Sequence, residues 1–546
     1  MSYRGVSQPP TGSPTLFSFS AVDRSTRIIV NTVASYARIG VAAASGFLAL
    51  PIVLRELGAT DFGIFSVIAG SLSILLFLNV ALTGGAQRHI AYALGANSKE
   101  DAGQWFCASL MIHGVLAFSV LLIALSCSHW IISRLLSLPS ARLGAALWIY
   151  RAVVLVLCCS ILSTPYQALL IAKEAITALS LIAMASSLML VTGVFLLPFL
   201  RGDHLLWYSG VYAVSDGLLL AGPAFYCVAN YSECQQVSLS AVNWQRIKAL
   251  LGFSSWNILG TLAVQIRYQG PALLFNRFVG TAANAAYGIA MQVNGFAANV
   301  STALLSATSP TIVKAEAGGD RSEALFISNL SNKYAFLLLW LLIGPVLFSL
   351  KYSLTLWLHQ IPEGTVTFSA ALLVALLVDM LSAGFTAAVQ AEGRIARYQC
   401  VIGTLLCISV PVGYLLLRIH MPPSMVLWVT VAGSALSGAG RIWFVRRTLG
   451  LKASDWLNNV LLPCVVTACV CSLGMMLVLL FTPPGFPQML APYLLNSGVV
   501  LILTLAFARS EQEQRFAASC VGRFQKLFSQ TRSVLAIATR SRSSVL

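Results

Sequence analysis

Apolar runs about twenty residues long recur from one end of this 546-residue chain to the other. A helix needs about 20 such residues to cross a hydrocarbon core about 30 Å thick, and residues 181–200 and 460–480 each satisfy that length. Only helices and closed barrels keep every backbone polar group paired in lipid, and barrel strands show alternating segments of about ten residues. Long unbroken runs therefore predict an all-α polytopic membrane protein. Hydrophobic residues make up 58% of the chain and charged residues 10%, against roughly 25% charged in soluble domains, so an aqueous-facing surface cannot be assembled from it.

Reading the runs between polar, Gly and Pro punctuation gives spans near 30–53, 62–83, 105–126, 144–163, 178–200, 205–228, 253–275, 283–307, 334–350, 369–389, 399–416, 423–440, 457–481 and 491–508, fourteen in all. Residues 1–27 are polar and the first apolar run is a full span, so no cleaved signal peptide is expected. The formal charge of +16 is scattered between spans rather than gathered in one patch, which argues against nucleic acid as a partner. It acts as a topology signal. Of 34 Lys and Arg residues, 24 fall in the tails and even-numbered loops, seven in odd-numbered loops and three inside spans, which predicts that both termini are cytoplasmic. The twelve cysteines lie mostly within apolar runs without metal-ligand spacing, so neither a metal site nor a disulfide framework is expected.

A weak internal repeat appears at an offset of 222 residues: Arg55, Gly58 and Phe65 before and within span two correspond to Arg277, Gly280 and Tyr287 before and within span eight. The expected organisation is a cytoplasmic N-terminal tail (1–29), an N-lobe of spans one to six (30–228), a cytoplasmic linker (229–252), a C-lobe of spans seven to twelve (253–440), and spans thirteen and fourteen (441–508). A basic tail (509–546) follows, with Phe516, Val521, Phe524, Leu527 and Phe528 at near-helical spacing, suited to the surface of an anionic leaflet or simply to enforcing topology.

Five ionisable residues fall inside spans: Arg38, Arg151, Arg267, Asp216 and Asp379. Each costs roughly 2.5–3.5 kcal/mol at mid-membrane on insertion scales, so they are expected to point inward. Three cations against two anions predict a net-cationic cavity, even where pairs such as Arg151 with Asp216 hold helices together. Span seven is the most polar, with Gln265, Arg267 and Gln269 alternating before Pro271, which is expected to bend the helix. Gln292 and Asn294 add hydrogen-bonding groups in span eight. Arg38, Arg151, Arg267, Gln265, Gln269, Gln292 and Asn294 are thus the candidate substrate-binding residues. Asp216 and Asp379 are candidates for coupling to H+ or Na+, because a carboxylate alternating between water and low dielectric changes its proton affinity. No nucleophile triad, metalloprotease motif, phosphate loop or dinucleotide fingerprint is present, so no cofactor and no enzyme activity are expected.

Residues 50–66, LPIVLRELGATDFGIFS, resemble the signature of bacterial polysaccharide flippases, the O-antigen type within the MATE-like superfamily of multidrug, oligosaccharidyl-lipid and polysaccharide exporters. Residues 84–91, GGAQRHIA, and the stretch from Arg277 to Gly288 look like the same family; Arg88 is the candidate cytoplasmic gate. The resemblance implies two six-helix lobes around a central cavity with two appended helices. It implies a transporter that turns an undecaprenyl-diphosphate-linked oligosaccharide, an O-antigen or exopolysaccharide repeat unit, across the bacterial inner membrane for polysaccharide or lipopolysaccharide biosynthesis. A glycan polymerase and co-polymerase are the implied protein partners. The basic C-terminal tail is longer than the family pattern implies. A lipid II-type flippase, a multidrug or cation antiporter of the same superfamily, and a non-transporting scaffold of a glycan-assembly complex stay open as alternatives.

Overall fold

The computed structural model describes residues 24–95, 98–235, 243–392, 395–482 and 486–507. The basic tail expected at 509–546 lies outside them, as does most of the N-terminal tail. Among the described residues the regular structure is entirely helical. In chain order the first lobe holds α1 (Arg24–Ser73), α2 (Leu76–Gly95), α3 (Lys99–Trp130), α4 (Leu143–Ala172), α5 (Ile176–Leu196), α6 (His204–Asn230) and the short α7 (Ser232–Gln235). The second holds α8 (Trp244–Phe278), α9 (Thr281–Ala317), α10 (Arg321–Phe348), α11 (Leu350–Leu358), α12 (Thr365–Met380), α13 (Phe385–Glu392), α14 (Ile395–Cys407), α15 (Ser409–Arg418) and α16 (Ser424–Leu449). Then come α17 (Ala453–Trp456), α18 (Leu462–Phe481) and α19 (Phe486–Phe507), of which α18 and α19 pack on each other and on α10.

Each of the fourteen expected spans falls on helix. By length and apolarity, nine helices among the described residues qualify to cross a membrane, or ten if α12 and α13, bent by 50°, count as one. The shortfall has three physical sources, one of them that the last expected span appears only as a shorter apolar helix, Leu490–Thr504. α1 runs through the end of one expected span into the next as a single stretch, and α8 and α9 carry too many polar side chains to meet the criterion.

The kink inside α1 lies at Gly58, whose φ of 71° is a conformation that a side chain would strain. Gly280, the corresponding position of the 222-residue repeat, has a φ of 114° and sits between α8 and α9. The repeat read in sequence is therefore matched by the same backbone device at both places.

The end of the bundle that carries Gly58, Gly280 and the loops near residues 137 and 203 is called here the far end, and the opposite end the near end. At the far end the lobes touch backbone to backbone. A Cβ on Gly63 of α1 would lie 1.9 Å from the carbonyl oxygen of Thr281, and one on Gly288 of α9 would lie 2.8 Å from the Ser66 hydroxyl. Small residues at a helix crossing allow this approach, which supplies dispersion contact where lipid offers no hydrophobic drive. Around it, Asn276 accepts a hydrogen bond from the Ser137 amide (2.7 Å), and Phe47 stacks on Trp357 at 4.8 Å while accepting that indole N–H through its carbonyl (2.7 Å). Arg142 binds both Asp61 (Nε to Oδ1, 3.0 Å) and Asp203 (2.7 Å), so the aspartate of the LGATDF stretch fastens far-end loops of the first lobe.

Pro271 does not break α8, which runs unbroken through it. The pronounced bend lies between α12 and α13, where no proline stands. Its released backbone groups are taken up by other helices: Asn332 accepts from the Gly384 amide (2.6 Å), and the Trp456 indole donates to the Leu381 carbonyl (2.9 Å). At the near end, Lys173 holds Glu233 at 2.6 Å and Arg246 holds Asp101 at 2.5 Å. Burial pushes the Glu233 carboxyl upward, but the Lys173 hydrogen bond and charge outweigh it and hold the group below its ordinary value.

The crossing at Gly63 yields a direct expectation. Restoring ordinary contact for an added Cβ requires the far ends to separate by about 1.5 Å, the gap between 1.9 and 3.4 Å. Spin labels at the exposed far-end positions Leu135 and Val279 should therefore report a longer mean distance in Gly63→Ala than in the native protein. An unchanged distance in a folded Gly63→Ala protein would show that the crossing is not what sets closure.

Candidate functional site

The crossing of α1 and α9 leaves a cavity of about 230 Å³ beside it. Phe62, Phe65, Ser66 and Ala69 line it from α1, and Asn284, Tyr287, Gly288 and Met291 from α9. Each set is spaced i, i+3, i+4, i+7, one face of a helix. Gln269 and Ala272 of α8, Gln292 of α9 and Tyr208 of α6 complete the wall. Phe65 and Tyr287, equivalent positions in the repeat, thus face the same cavity.

Packing fixes these side chains. Tyr208 and Tyr212 meet Phe65 edge-on with centroids 4.7 and 5.2 Å apart, and Tyr287 meets Phe275 edge-on at 5.5 Å. The Tyr287 hydroxyl donates to the Tyr268 carbonyl, and Gln292 donates to the Gly46 carbonyl across the lobe boundary (3.1 Å). Gln269 points its amide oxygen toward Gly70, where an added Cβ would come within 2.8 Å of it.

Of the residues singled out in sequence, Gln269 and Gln292 line the cavity. Arg267 lies behind it in the second lobe, 5% exposed, with one Nη 2.8 Å from Asp379 and hydrogen-bonded at 2.6 Å to Ser434 of α16, and its guanidinium 5.2 Å from the Tyr268 ring centre. Asp379, 7% exposed, keeps one carboxylate oxygen without a hydrogen-bond partner, as does the Nε of Arg267. Asn294 is buried on α9 one turn from the cavity, and Gln265 is half-buried on α8. Arg38 and Arg151 are exposed on α1 and α4 and form no ion pair among the described residues. The side chain of Arg88 lies outside the described residues; its backbone belongs to α2.

Two expectations change. The pair sketched as Arg151 with Asp216 does not form: Asp216 is half-buried on α6 beside the Tyr212 hydroxyl, one helical turn away, whereas Arg151 is exposed. The cavity is also not cationic. None of its twelve lining residues is charged, because Asp379 neutralises Arg267 inside the second lobe and the other two arginines are elsewhere.

Sequence reasoning missed the aromatic wall, although Phe65 and Tyr287 were visible as a repeat pair. An aromatic residue in an apolar span carries no polarity contrast, and the better signal was the shared i, i+3, i+4, i+7 spacing. It also placed Lys333 and Arg441 in loops, whereas helices extend past both. Lys333 is 1% exposed in α10, where its Nζ donates to the carbonyl of Phe507 at the end of α19 (3.2 Å), and Arg441 of α16 donates to Ser382 (3.2 Å) at the α12 break.

This two-lobed, all-helical, multi-pass fold is similar to that of solved MOP superfamily transporters. The lipid II flippase MurJ in its inward closed conformation superposes with a TM-score of 0.62 at 12% identity, covering 88% of this chain and 99% of that one. An inward-facing multidrug resistance MATE family transporter gives 0.61 at 13% identity, covering 78% and 98%. A MOP superfamily transporter from Pyrococcus furiosus, described as having a binding pocket of reverse polarity, gives 0.53 at 14% identity, covering 79% and 95%. A search of curated protein sequences finds no match. Residues 29–316 match the family described as polysaccharide biosynthesis protein, more than half of the chain, and the chain belongs to that family.

The buried pair invites a mutant cycle. Asp379→Asn leaves an uncompensated guanidinium in the second lobe and should cost about 3–5 kcal/mol of stability, as should Arg267→Gln from the other side. The double variant should lose much less than the sum, read as thermal unfolding of the detergent-purified protein. Additive losses would mean that the two groups do not interact.

Proposed function

We propose that this protein is a transporter that flips an undecaprenyl-diphosphate-linked oligosaccharide across the bacterial inner membrane, with both termini cytoplasmic and no catalytic step. The family of residues 29–316 supports a role in polysaccharide biosynthesis, and one observation of the site carries the reading further. The cavity at the lobe crossing is uncharged and lined by aromatic rings and amide side chains. Rings offer apolar faces to the C–H surfaces of a pyranose, and the amides of Gln269 and Gln292 offer donors and acceptors to its hydroxyls. A multidrug cation exporter would place a carboxylate in that wall, and none of the lining residues is acidic.

In this reading the glycan occupies the cavity while the lipid tail stays in the bilayer. The diphosphate remains toward the near end, where Arg38, exposed on the near half of α1, supplies counter-charge. Alternating access consists of parting the Gly63–Thr281 crossing at the far end as the near end closes. Asp216 is the stronger coupling candidate of the two carboxylates, since Asp379 is committed to Arg267 whereas Asp216 forms no ion pair among the described residues. H+ or Na+ is the coupling ion, and a glycan polymerase with its co-polymerase takes over the product on the outer side.

Reconstituted protein tests this reading with a fluorescent polyprenyl-diphosphate-oligosaccharide and a cationic dye offered in parallel. The lipid-linked glycan should move and the dye should not. Gln269→Ala and Gln292→Ala should each lower glycan movement about tenfold, one buried hydrogen bond's worth. Arg38→Gln should raise the substrate concentration at half-maximal rate. Dye movement without glycan movement would replace the proposal with a drug exporter, and movement of neither in folded protein would favour a scaffold. Asp216→Asn transport that still responds fully to collapse of the proton and sodium gradients would remove Asp216 as the coupling site.

A further inference from the structure

A second cavity, about 460 Å³, lies on the outer flank of the second lobe, away from the lobe crossing. α16 packs on α12, and the cavity is the cleft between α16 and α17 with Leu461 just beyond it, α12 lying behind. Small residues create the room: Ala435, Gly438 and Ala439 stand where α16 would otherwise fill it. Its back wall is apolar, formed by Val378 and Leu381.

The near-end mouth has a different chemistry. Trp443, half exposed, and Trp456 flank it, and Arg446 is exposed at its edge. Tryptophans at one level of a membrane helix mark the headgroup region. Between residues 441 and 456 the charges are Arg441, Arg446, Arg447 and Lys452 against Asp455 alone, so the mouth is strongly cationic where the cleft above it is apolar. Arg447 lies over the Trp443 ring at 4.8 Å, which leaves Arg446 as the cation that lines the cleft itself.

An apolar cleft of about 460 Å³ with one guanidinium and two indoles in its lining has the room for an acyl chain and the polarity of a phospholipid's chain and headgroup. We propose that the cleft is a binding site for a resident anionic phospholipid of the near leaflet, its phosphate on Arg446 and one acyl chain lying along Val378, Leu381 and Ala439. The site also touches the bend of the second lobe. Leu381 and Ser382 belong to the break between α12 and α13, Trp456 of the cleft wall caps the Leu381 carbonyl, and Asp379 is the neighbour of Val378 in sequence. A bound chain therefore braces the bent helix from outside, on the side opposite to the lobe crossing.

Native mass spectrometry of the full-length protein in detergent tests this directly, titrating phosphatidylglycerol and phosphatidylcholine with identical acyl chains. The native protein should retain one phosphatidylglycerol in preference to phosphatidylcholine. Arg446→Gln should weaken that retention roughly tenfold, as expected for one charge-assisted phosphate contact, and Arg446→Lys should keep part of it. Arg446 is exposed, so neither change opens the core, and unfolding temperatures in lipid-free detergent should match the native protein. Ala439→Trp, which fills the cleft, should abolish retention of both lipids. Equal retention of the two lipids, or undiminished phosphatidylglycerol binding in Arg446→Gln, would overturn the proposal. So would displacement of phosphatidylglycerol by an equimolar polyprenyl diphosphate, which would assign the cleft to the transported lipid.

Discussion

The approach of α1 and α9 to backbone contact at Gly63 and Thr281 organises this molecule. In a bilayer no hydrophobic force drives one helix against another, so the association of two lobes rests on shape: small residues that admit close approach, and a few hydrogen bonds that would otherwise go unmade. Gly63, Ser66 and Gly288 supply the shape, and Asn276, Trp357 and Gln292 supply the hydrogen bonds. The cavity lies beside this contact, and on the same two helices Phe65 and Tyr287, each next to a contact residue (Ser66 and Gly288), form part of its wall.

Charge inside the second lobe is handled by pairing rather than by exposure. Arg267 and Asp379 come from helices distant in sequence and meet at 2.8 Å with Ser434 as a further acceptor. Pairing of this kind removes the cost of an isolated ion but contributes little net stability, and its greater effect is to specify how α8, α12 and α16 fit together. Because the guanidinium is spent on that task, the cavity beside it is neutral, a better match to a hydroxyl-rich ligand than to a charged one.

The break between α12 and α13 follows the same economy. A helix can leave its regular course inside a membrane protein only where neighbouring side chains take over the freed backbone groups, and Asn332, Arg441 and Trp456 surround that position. The same break lines the outer cleft through Leu381 and Ser382.

Sequence alone determined that this chain is helical, that it is a multi-pass membrane protein, and that its halves echo one another around Gly58 and Gly280. Those properties are local. Apolar length is set by bilayer thickness, and a glycine held at positive φ leaves its mark within a few residues. Parts of the site were legible for the same reason: Gln269, Gln292 and the buried Arg267 and Asp379 stand out because polar groups in apolar runs are costly. Tertiary structure alone decided the rest. Asp379 rather than Asp216 meets an arginine, Arg151 stays exposed, Lys333 and Arg441 lie within helices instead of loops, and an aromatic wall rather than a cationic one faces the cavity. Which way a side chain points around its helix depends on the rotation of that helix against its neighbours, and packing, not the periodicity of an evenly apolar run, sets that rotation.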